Sequence, residues 1–391
     1  MIVCTATALF SLLLIAYSYL LFPWLMKRAA ARSQSEFEPL EEFPSVSVLM
    51  AAHNEERVIE DKIRSIFRCR YPKHKLEVWV GSDASTDNTD HILSRLSPAF
   101  PGLKWKRYDE RTGKPSIINE LTLLAAGQII VVTDADALFT EFTLAELMLP
   151  FSNPGVGAVQ AHAEVLLEPG GDVGAQERTY TRGEMILKEG ESTFGSVIGG
   201  FGAAYALRKE LFRPVPSGFV VDDFFTFSDI LAQGYQTIFA VKSKVLLHLS
   251  TNSSVQFRRK RRIGRGNFQN LWHFRGLWTG KSGWRIAWLF WSHKGIRWIT
   301  PLLLMLLALC AIVYPETKVN QVGLAAAGLL LLLSWIDLLL SKWGVHVPPI
   351  RYLRHFMWMN LALLTGLWDA LTKKQARGSW DNQKPTDKPA L

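Results

Sequence analysis

Two acidic groupings in this sequence are placed where carboxylates can do chemistry. Asp134-Ala-Asp136 follows directly on the apolar run Gln128-Ile-Ile-Val-Val-Thr133. In extended chain or a tight turn, two carboxylates two residues apart can aim at one hard cation, Mg2+ or Mn2+. Such ions take oxygen ligands and keep positions open for phosphate oxygens. Turns and helix starts also produce Asp-x-Asp, and the buried strand before it is what favours the metal reading. Asp83 opens Asp83-Ala-Ser-Thr-Asp87-Asn-Thr89 at the end of Glu77-Val-Trp-Val-Gly-Ser82. Turn and capping chemistry accounts in part for Ser85, Asp87 and Thr89. Asp83 lies earlier, on the strand edge, where a carboxylate can accept from a base imide or a ribose hydroxyl.

The surrounding pattern says how these groups are held. Val46-Ser-Val-Leu-Met-Ala51 reads as a strand, followed by a helix near 55–67. The run 77–82 reads as a second strand with a helix near 89–96. A weaker strand near 103–108 precedes a helix near 115–125, and 128–133 is a fourth strand. Continuous apolar strands alternating with helices predict an α/β fold with a mainly parallel sheet covered on both faces. Ligands of such sheets bind beyond the carboxyl ends of the strands. His53-Asn54-Glu55, Asp83 and Asp134-Ala-Asp136 follow three of those ends, so they gather at one edge. Neither Gly-x-Gly-x-x-Gly nor a Walker sequence occurs, which takes the main support from dinucleotide and ATPase readings.

The 391 residues are 48% apolar and 20% charged, an ordinary average that hides clustering. Met1–Met26, Trp298–Tyr314 and Val319–Ile336 contain no charge. Runs of about 17–25 such residues can cross a bilayer. An ordinary soluble protein is excluded, and so is a pure channel or transporter, because 44–283 has normal polarity and the length of a large domain. The first run lacks a basic leader and an evident cleavage site, so it reads as a retained anchor. The reading divides the chain into an anchor over 1–26, a soluble domain over 44–250 and an arginine-rich segment with an interfacial helix over 251–297. Two spans over 298–340 and an interfacial or re-entrant segment with a tail over 341–391 complete it. Eleven of the 14 tryptophans fall at or after Trp272, as expected for rings at headgroup level. Lys27, Arg28, Lys294, Arg297, Arg351 and Arg354 flank the spans so that positive-inside bias puts the N-terminus outside and the large domain in the cytoplasm. Cys4, Cys69 and Cys310 are too few for a disulfide framework and read as packing residues.

The ordered set Val46–Glu56, Gly81–Thr89, Gly113-Lys114-Pro115 with Asn119, and Thr133-Asp-Ala-Asp136 resembles family 2 glycosyltransferases. The likeness is to the membrane-bound branch of GT-A fold, related to cellulose, chitin and hyaluronan synthases, and it covers essentially the whole chain. It implies a Rossmann-like GT-A domain with transmembrane helices on both sides. The implied reaction is inverting transfer of a sugar from a nucleotide-sugar, usually a UDP-sugar, with a divalent metal on the diphosphate. On matching positions, Ala51, Glu55 and Asp83 would hold uracil and ribose, Lys114 would reach the nucleotide, and Asp134 and Asp136 would bind donor and metal. Gly199-Gly-Phe-Gly-Ala-Ala-Tyr-Ala-Leu-Arg208 resembles the glycine-rich strand near the acceptor. Val221-Asp222-Asp223-Phe224 falls where the family has Thr-Glu-Asp, whose last carboxylate takes the proton from the acceptor hydroxyl. That makes Asp223 the expected base and Asp222 its rival, with a helix cap as the alternative for either.

Arg258-Arg-Lys-Arg-Arg-Ile-Gly-Arg265-Gly-Asn-Phe-Gln269 departs from the family pattern. Processive synthases carry Gln-x-x-Arg-Trp there. Arg262 keeps the arginine, Arg259 replaces the glutamine and Ile263 the tryptophan. Arginines beside a diphosphate can neutralise the leaving group, and the lost tryptophan and glutamine point to transfer of one or a few sugars. The same cluster also suits anionic lipid. The net charge of +9 sits beside membrane segments, so nucleic acid is not the expected partner. The expected partners are a nucleotide-sugar donor, a lipid-linked or nascent cell-surface glycan acceptor, and membrane lipid, with the enzyme in the bacterial inner membrane. The competing reading is a catalytically silent membrane scaffold or export partner, which predicts loss of a metal, base or arginine element.

Overall fold

The computed structural model describes residues 2–32, 37–166, 172–248, 253–343 and 347–372. Positions 33–36, 167–171, 249–252, 344–346 and 373–391 lie outside them. The chain divides into two compact units. The larger draws on Met26–Asn252 and Asn270–Leu289, the other on Met1–Leu25, Ser253–Gln269 and Phe290–Lys374.

The larger unit is built on one eight-stranded sheet in the order β3-β2-β1-β4-β7-β6-β8-β5. The strands are β1 Val46–Ala52, β2 Leu76–Asp83, β3 Leu103–Tyr108, β4 Ile129–Thr133, β5 Ala137–Phe139, β6 Val156–Leu166, β7 Ala204–Arg208 and β8 Gln236–His248. β3, β2, β1 and β4 run parallel, as the apolar runs predicted. Beyond β4 the sheet becomes mixed: β7 is antiparallel to β4 and to β6, β8 is parallel to β6, and β5 is antiparallel to β8. That half carries no simple strand–helix alternation in the sequence, so its direction was not legible there.

Burial explains the composition of the strands. Every residue of β1 and β4 is buried, which requires covering on both faces and accounts for their continuous apolar runs. β3 lies at the sheet edge and exposes Lys104, Lys106 and Arg107, charges that discourage pairing with a further strand. The helix Ile59–Arg68 buries Ile59, Ile63 and Ile66, one stripe at helical spacing. Each such side chain contributes roughly 1.5–3 kcal/mol by leaving water. Glu60 and Arg64 pair at 2.8 Å on its outer face.

The second unit is helical. Among the described residues, three helices are long and apolar enough to cross a membrane: Ile2–Arg32, Trp284–Val313 and Lys318–Leu340. The sequence separated an interfacial helix over 284–298 from the span that follows. The structure runs them together through a π-turn at Trp291–Gly295, because Gly295 keeps helical dihedrals and nothing breaks the chain. A matching π-turn at Tyr17–Leu21 faces it. There Ser18 Oγ donates to the Ser292 carbonyl at 2.8 Å, and Tyr17 Oη lies 2.7 Å from Ser292 Oγ. Residues 356–371, expected to be interfacial or re-entrant, belong to a longer helix, Pro348–Leu371, that starts on a proline pair. This helix crosses the arginine-bearing helix Ser253–His273 at very short range. A Cβ on Gly366 would lie 2.7 Å from the Arg261 carbonyl, so only glycine admits the crossing. Asp369 accepts two hydrogen bonds from Arg261, at 2.6 and 2.8 Å. Arg354 pairs with the fully buried Asp337 at 2.7 Å. Cys4, Cys69 and Cys310 are all free thiols.

Candidate active site

At the carboxyl edge of the parallel half, the chain leaves both β1 and β2 through a left-handed residue, Asn54 at φ 53° and Ala84 at φ 52°. An alanine there costs about 1 kcal/mol, so the surrounding bonds must hold it. Ala84 N donates to the Tyr108 carbonyl at 3.1 Å. Asn54 N donates to Ser85 Oγ at 3.2 Å, and Asn54 Oδ1 accepts from Thr86 N at 2.8 Å. Glu56 N donates to Asp87 Oδ2 at 3.0 Å, and Glu56 Oε2 accepts from Asn88 N at 3.1 Å. Glu55, buried, donates its N–H to Thr89 Oγ1 at 2.8 Å. The loops after β1 and β2 are thus laced into one floor. Ser85, Asp87 and Thr89 carry out the turn chemistry expected of them. Ala51 sits buried opposite Gly81 at the top of these strands.

Asp83 faces a third segment. Its carboxylate accepts from Thr112 N at 2.6 Å and Gly113 N at 3.2 Å, with Arg111 Nε at 3.3 Å. It therefore fixes the loop that launches the helix Lys114–Leu124. Each carboxylate oxygen has a second lone pair for a further donor.

That helix starts with the residue at the centre of the site. Lys114, buried, donates to Asp134 Oδ1 at 2.6 Å and lies 3.8 Å from Asp222 Oδ2. Burial opposes its charge, but the Asp134 and Asp222 carboxylates outweigh that and hold its pKa above the usual lysine value. Asp222 and Asp223 open the helix Asp222–Ala232, and Asp223 Oδ1 accepts from Phe224 N at 2.7 Å. The helix does start here, but its N-cap is Val221, which makes no side-chain capping hydrogen bond. Burial, then the neighbouring Asp222, pushes the Asp223 carboxyl up to about 6, against the pull of Lys114. Tyr205, also buried beside Asp222, has its pKa raised by burial first and that carboxylate second.

Gly202 shows how tightly these groups converge. A Cβ on it would lie 3.1 Å from Asp134 Oδ2 and 3.6 Å from both Asp223 Oδ2 and Lys114 Nζ. The glycine-rich segment thus supplies open space among three charges.

The Asp134–Asp136 turn is closed by Ala137 N donating to the Asp134 carbonyl at 3.4 Å. Ala135 points inward at 2% exposure, which turns the flanking Asp134 and Asp136 outward, both half-buried. Among the described residues, no group of three or more His, Cys, Asp or Glu could hold a metal alone. Two carboxylates completed by phosphate oxygens and water is the usual pattern for a Mg2+-type ion. The residues present fit a divalent cation that shares its ligands with a phosphate-bearing donor. Beneath this turn lies Lys62, wholly buried, whose amine donates to Thr133 Oγ1 at 2.8 Å and to the Ala137 carbonyl. Burial lowers its pKa to about 7, against the attraction of Asp134 and Asp136.

Lys114, Asp134, Asp222 and Asp223 are therefore gathered by the fold, with Asp83 one step away through Gly113. Arg259 and Arg262 lie on the helix Ser253–His273, in the other unit, Arg259 exposed and Arg262 half-buried. Sequence reasoning missed Lys62, Tyr205 and the Arg111–Gly113 loop that engages Asp83. The one signal for Lys62 was a lysine on the apolar stripe of its helix.

The profile described as glycosyl transferase family 2 matches residues 47–213. A beta-monoglucosyldiacylglycerol synthase from Nostoc sp. is 36% identical over 144 residues, which is 36% of this chain and 29% of the synthase. A poly-beta-1,6-N-acetyl-D-glucosamine synthase from Staphylococcus epidermidis is 26% identical over 133 residues, 34% of this chain and 31% of that protein. The matched stretch thus spans under a third of the length of these relatives. A mannosyltransferase from Pyrobaculum calidifontis, solved in complex with GDP-Man and Mn2+, superposes over 94% of this chain and 99% of its own. Its TM-score is 0.72 at 23% identity, a likeness of fold. With the aspartate turn, the lysine and the paired aspartates on a GT-A-like sheet, residues 47–213 of this chain form a glycosyl transferase family 2 domain.

Proposed function

We propose that the enzyme transfers a sugar, with inversion, from a nucleotide-sugar to a lipid-linked or nascent cell-surface glycan acceptor at a membrane. The observation that carries this reading is the convergence of Asp134, Asp223 and Lys114 around Gly202. Asp223 takes the proton from the attacking hydroxyl, and its raised pKa makes it a better base than an exposed aspartate. Asp222 supports that basicity and shares Lys114 with Asp134. Asp134 and Asp136 would hold Mg2+ or Mn2+, which supplies charge neutralisation on the donor diphosphate. Lys114 adds a fixed positive charge there, and Arg262 and Arg259 are assigned to the leaving group by the family resemblance alone. Asp83 and Glu55, with the Ala51 backbone, provide acceptors for base and ribose. The lipid or glycan acceptor draws support from the three membrane-length helices and from the relatives named as glucosyldiacylglycerol and poly-N-acetylglucosamine synthases. The reading places the enzyme in the bacterial inner membrane with the N-terminus outside and the catalytic domain cytoplasmic.

The test is a thermal-shift screen of the full chain in detergent against UDP-glucose, UDP-N-acetylglucosamine, UDP-galactose and GDP-mannose, with and without Mn2+. A ligand of the folded state raises apparent stability. One UDP-sugar should do so in a Mn2+-dependent way and be hydrolysed slowly, and Asp136→Ala should abolish both effects. Full activity in Asp136→Ala would defeat the metal assignment.

A further inference from the structure

Lys62 is a costly residue in its position. It is 0% exposed, and taking an amine out of water is unfavourable unless its donors are satisfied. A methionine would fill the same stripe of the helix Ile59–Arg68 at no such cost. The amine makes two hydrogen bonds, and both go to the frame of the aspartate turn. Thr133 Oγ1, at 2.8 Å, is the residue immediately before Asp134, and the Ala137 carbonyl is the residue immediately after Asp136. Thr133 in turn donates to the Ala203 carbonyl at 2.6 Å, next to Gly202. The same helix face continues along the chain: Ser65 Oγ accepts from Phe139 N at 3.2 Å, and the Cys69 thiol donates to the Thr140 carbonyl at 3.3 Å. Residues 133–140 are therefore held from below along one rail, with Lys62 at the point where the two carboxylates leave it.

We propose that Lys62 is a positioning residue for the divalent cation: by tying Thr133 to Ala137 it fixes the two ends of the turn, so that Asp134 and Asp136 are presented together before the ion arrives. The inference rests on the reading of Asp134 and Asp136 as the metal carboxylates. The action is that of a donor bridging two acceptors. Partners that orient metal ligands in this way typically change metal affinity by about 10- to 100-fold when removed.

The experiment is a MnCl2 titration of the full chain in detergent, with UDP present, read by thermal shift and by the signal of free Mn2+ in electron paramagnetic resonance. Lys62→Met should weaken apparent Mn2+ affinity by about 10- to 100-fold, with binding of UDP without metal unchanged. Thr133→Val, which removes one of the two acceptors and leaves the amine in place, should weaken Mn2+ binding in the same direction by a smaller factor. It provides the readout if Lys62→Met does not fold. Asp136→Ala is the control: loss of the Mn2+ response there supports the turn as the metal site. Given that loss, an unchanged Mn2+ midpoint in both Lys62→Met and Thr133→Val overturns the proposal and leaves Lys62 a core lysine. Tighter Mn2+ binding in Lys62→Met also overturns it, since the amine would then act as a competing charge. A Mn2+ response that survives Asp136→Ala removes the metal reading itself.

Discussion

Replacing Asp222 by asparagine separates the two adjacent aspartates by a pH profile. The Asp223 carboxyl stands at about 6, raised from 3.8 by burial first and by Asp222 second. A base works only when deprotonated, so wild-type turnover should fall as pH drops through about 6. Asp222→Asn keeps the shape and removes the like charge, while burial and the Lys114 attraction stay. Asp222 is the second contributor to the shift from 3.8 to about 6, so the variant's acid limb should move to lower pH. At pH 5 the wild type, with its base at about 6, would retain ~9% of its plateau rate and the variant a larger fraction. The assay is the pH dependence of Mn2+-supported UDP-sugar turnover between pH 4.5 and 8 in detergent, each enzyme normalised to its own plateau. An acid limb that does not move refutes the coupling between the two carboxylates. If Asp222→Asn abolishes turnover at every pH, Asp222 is the base and the assignment to Asp223 is wrong.

Asp223→Asn should retain the donor-induced thermal shift and lose transfer by three orders of magnitude or so, within the about 10²–10⁴-fold range for a general base; normal transfer would point elsewhere. Gly202→Ala should fold but lose turnover, because its Cβ would press on Asp134 Oδ2 at 3.1 Å. An unchanged rate in that variant would show that the space above Gly202 is not used. Asp83→Asn should weaken donor binding and also loosen the 112–113 loop, because Thr112 N and Gly113 N lose part of their acceptor strength. Faster protease cleavage near Gly113 measures the second effect, and equal cleavage rates would argue that Asp83 serves the donor alone.

The parallel half of the sheet was legible because burial on both faces writes continuous apolar runs, and because β1, β2 and β4 each end in polar residues at the edge where ligands bind. Asp134, Asp136 and Asp83 could be named for that reason, whereas Asp223 was named from the family resemblance alone. The mixed half was not legible: β5 has only three residues and β8 reaches its neighbours through register shifts. Lys62 was invisible as a site residue since its partners are separated from it by 71 and 75 positions. The sequence reading set the boundary between an interfacial helix and the following span at 297–298, where the helix Trp284–Val313 runs on unbroken. Ser292 and His293 are buried in the helical unit.

The helix Pro348–Leu371 is anchored near both ends. Arg354 binds Asp337 of the third membrane-length helix, and Asp369 binds Arg261 of the arginine-bearing helix at 2.6 and 2.8 Å. The two anchor points are 15 residues apart, about 22 Å of stiff helix. A rod pinned at both ends against close-packed neighbours can neither spin nor slide independently of them. Were the helix Lys318–Lys342 to shift, the helix Ser253–His273 would be carried with it, because the two are joined through this one rod.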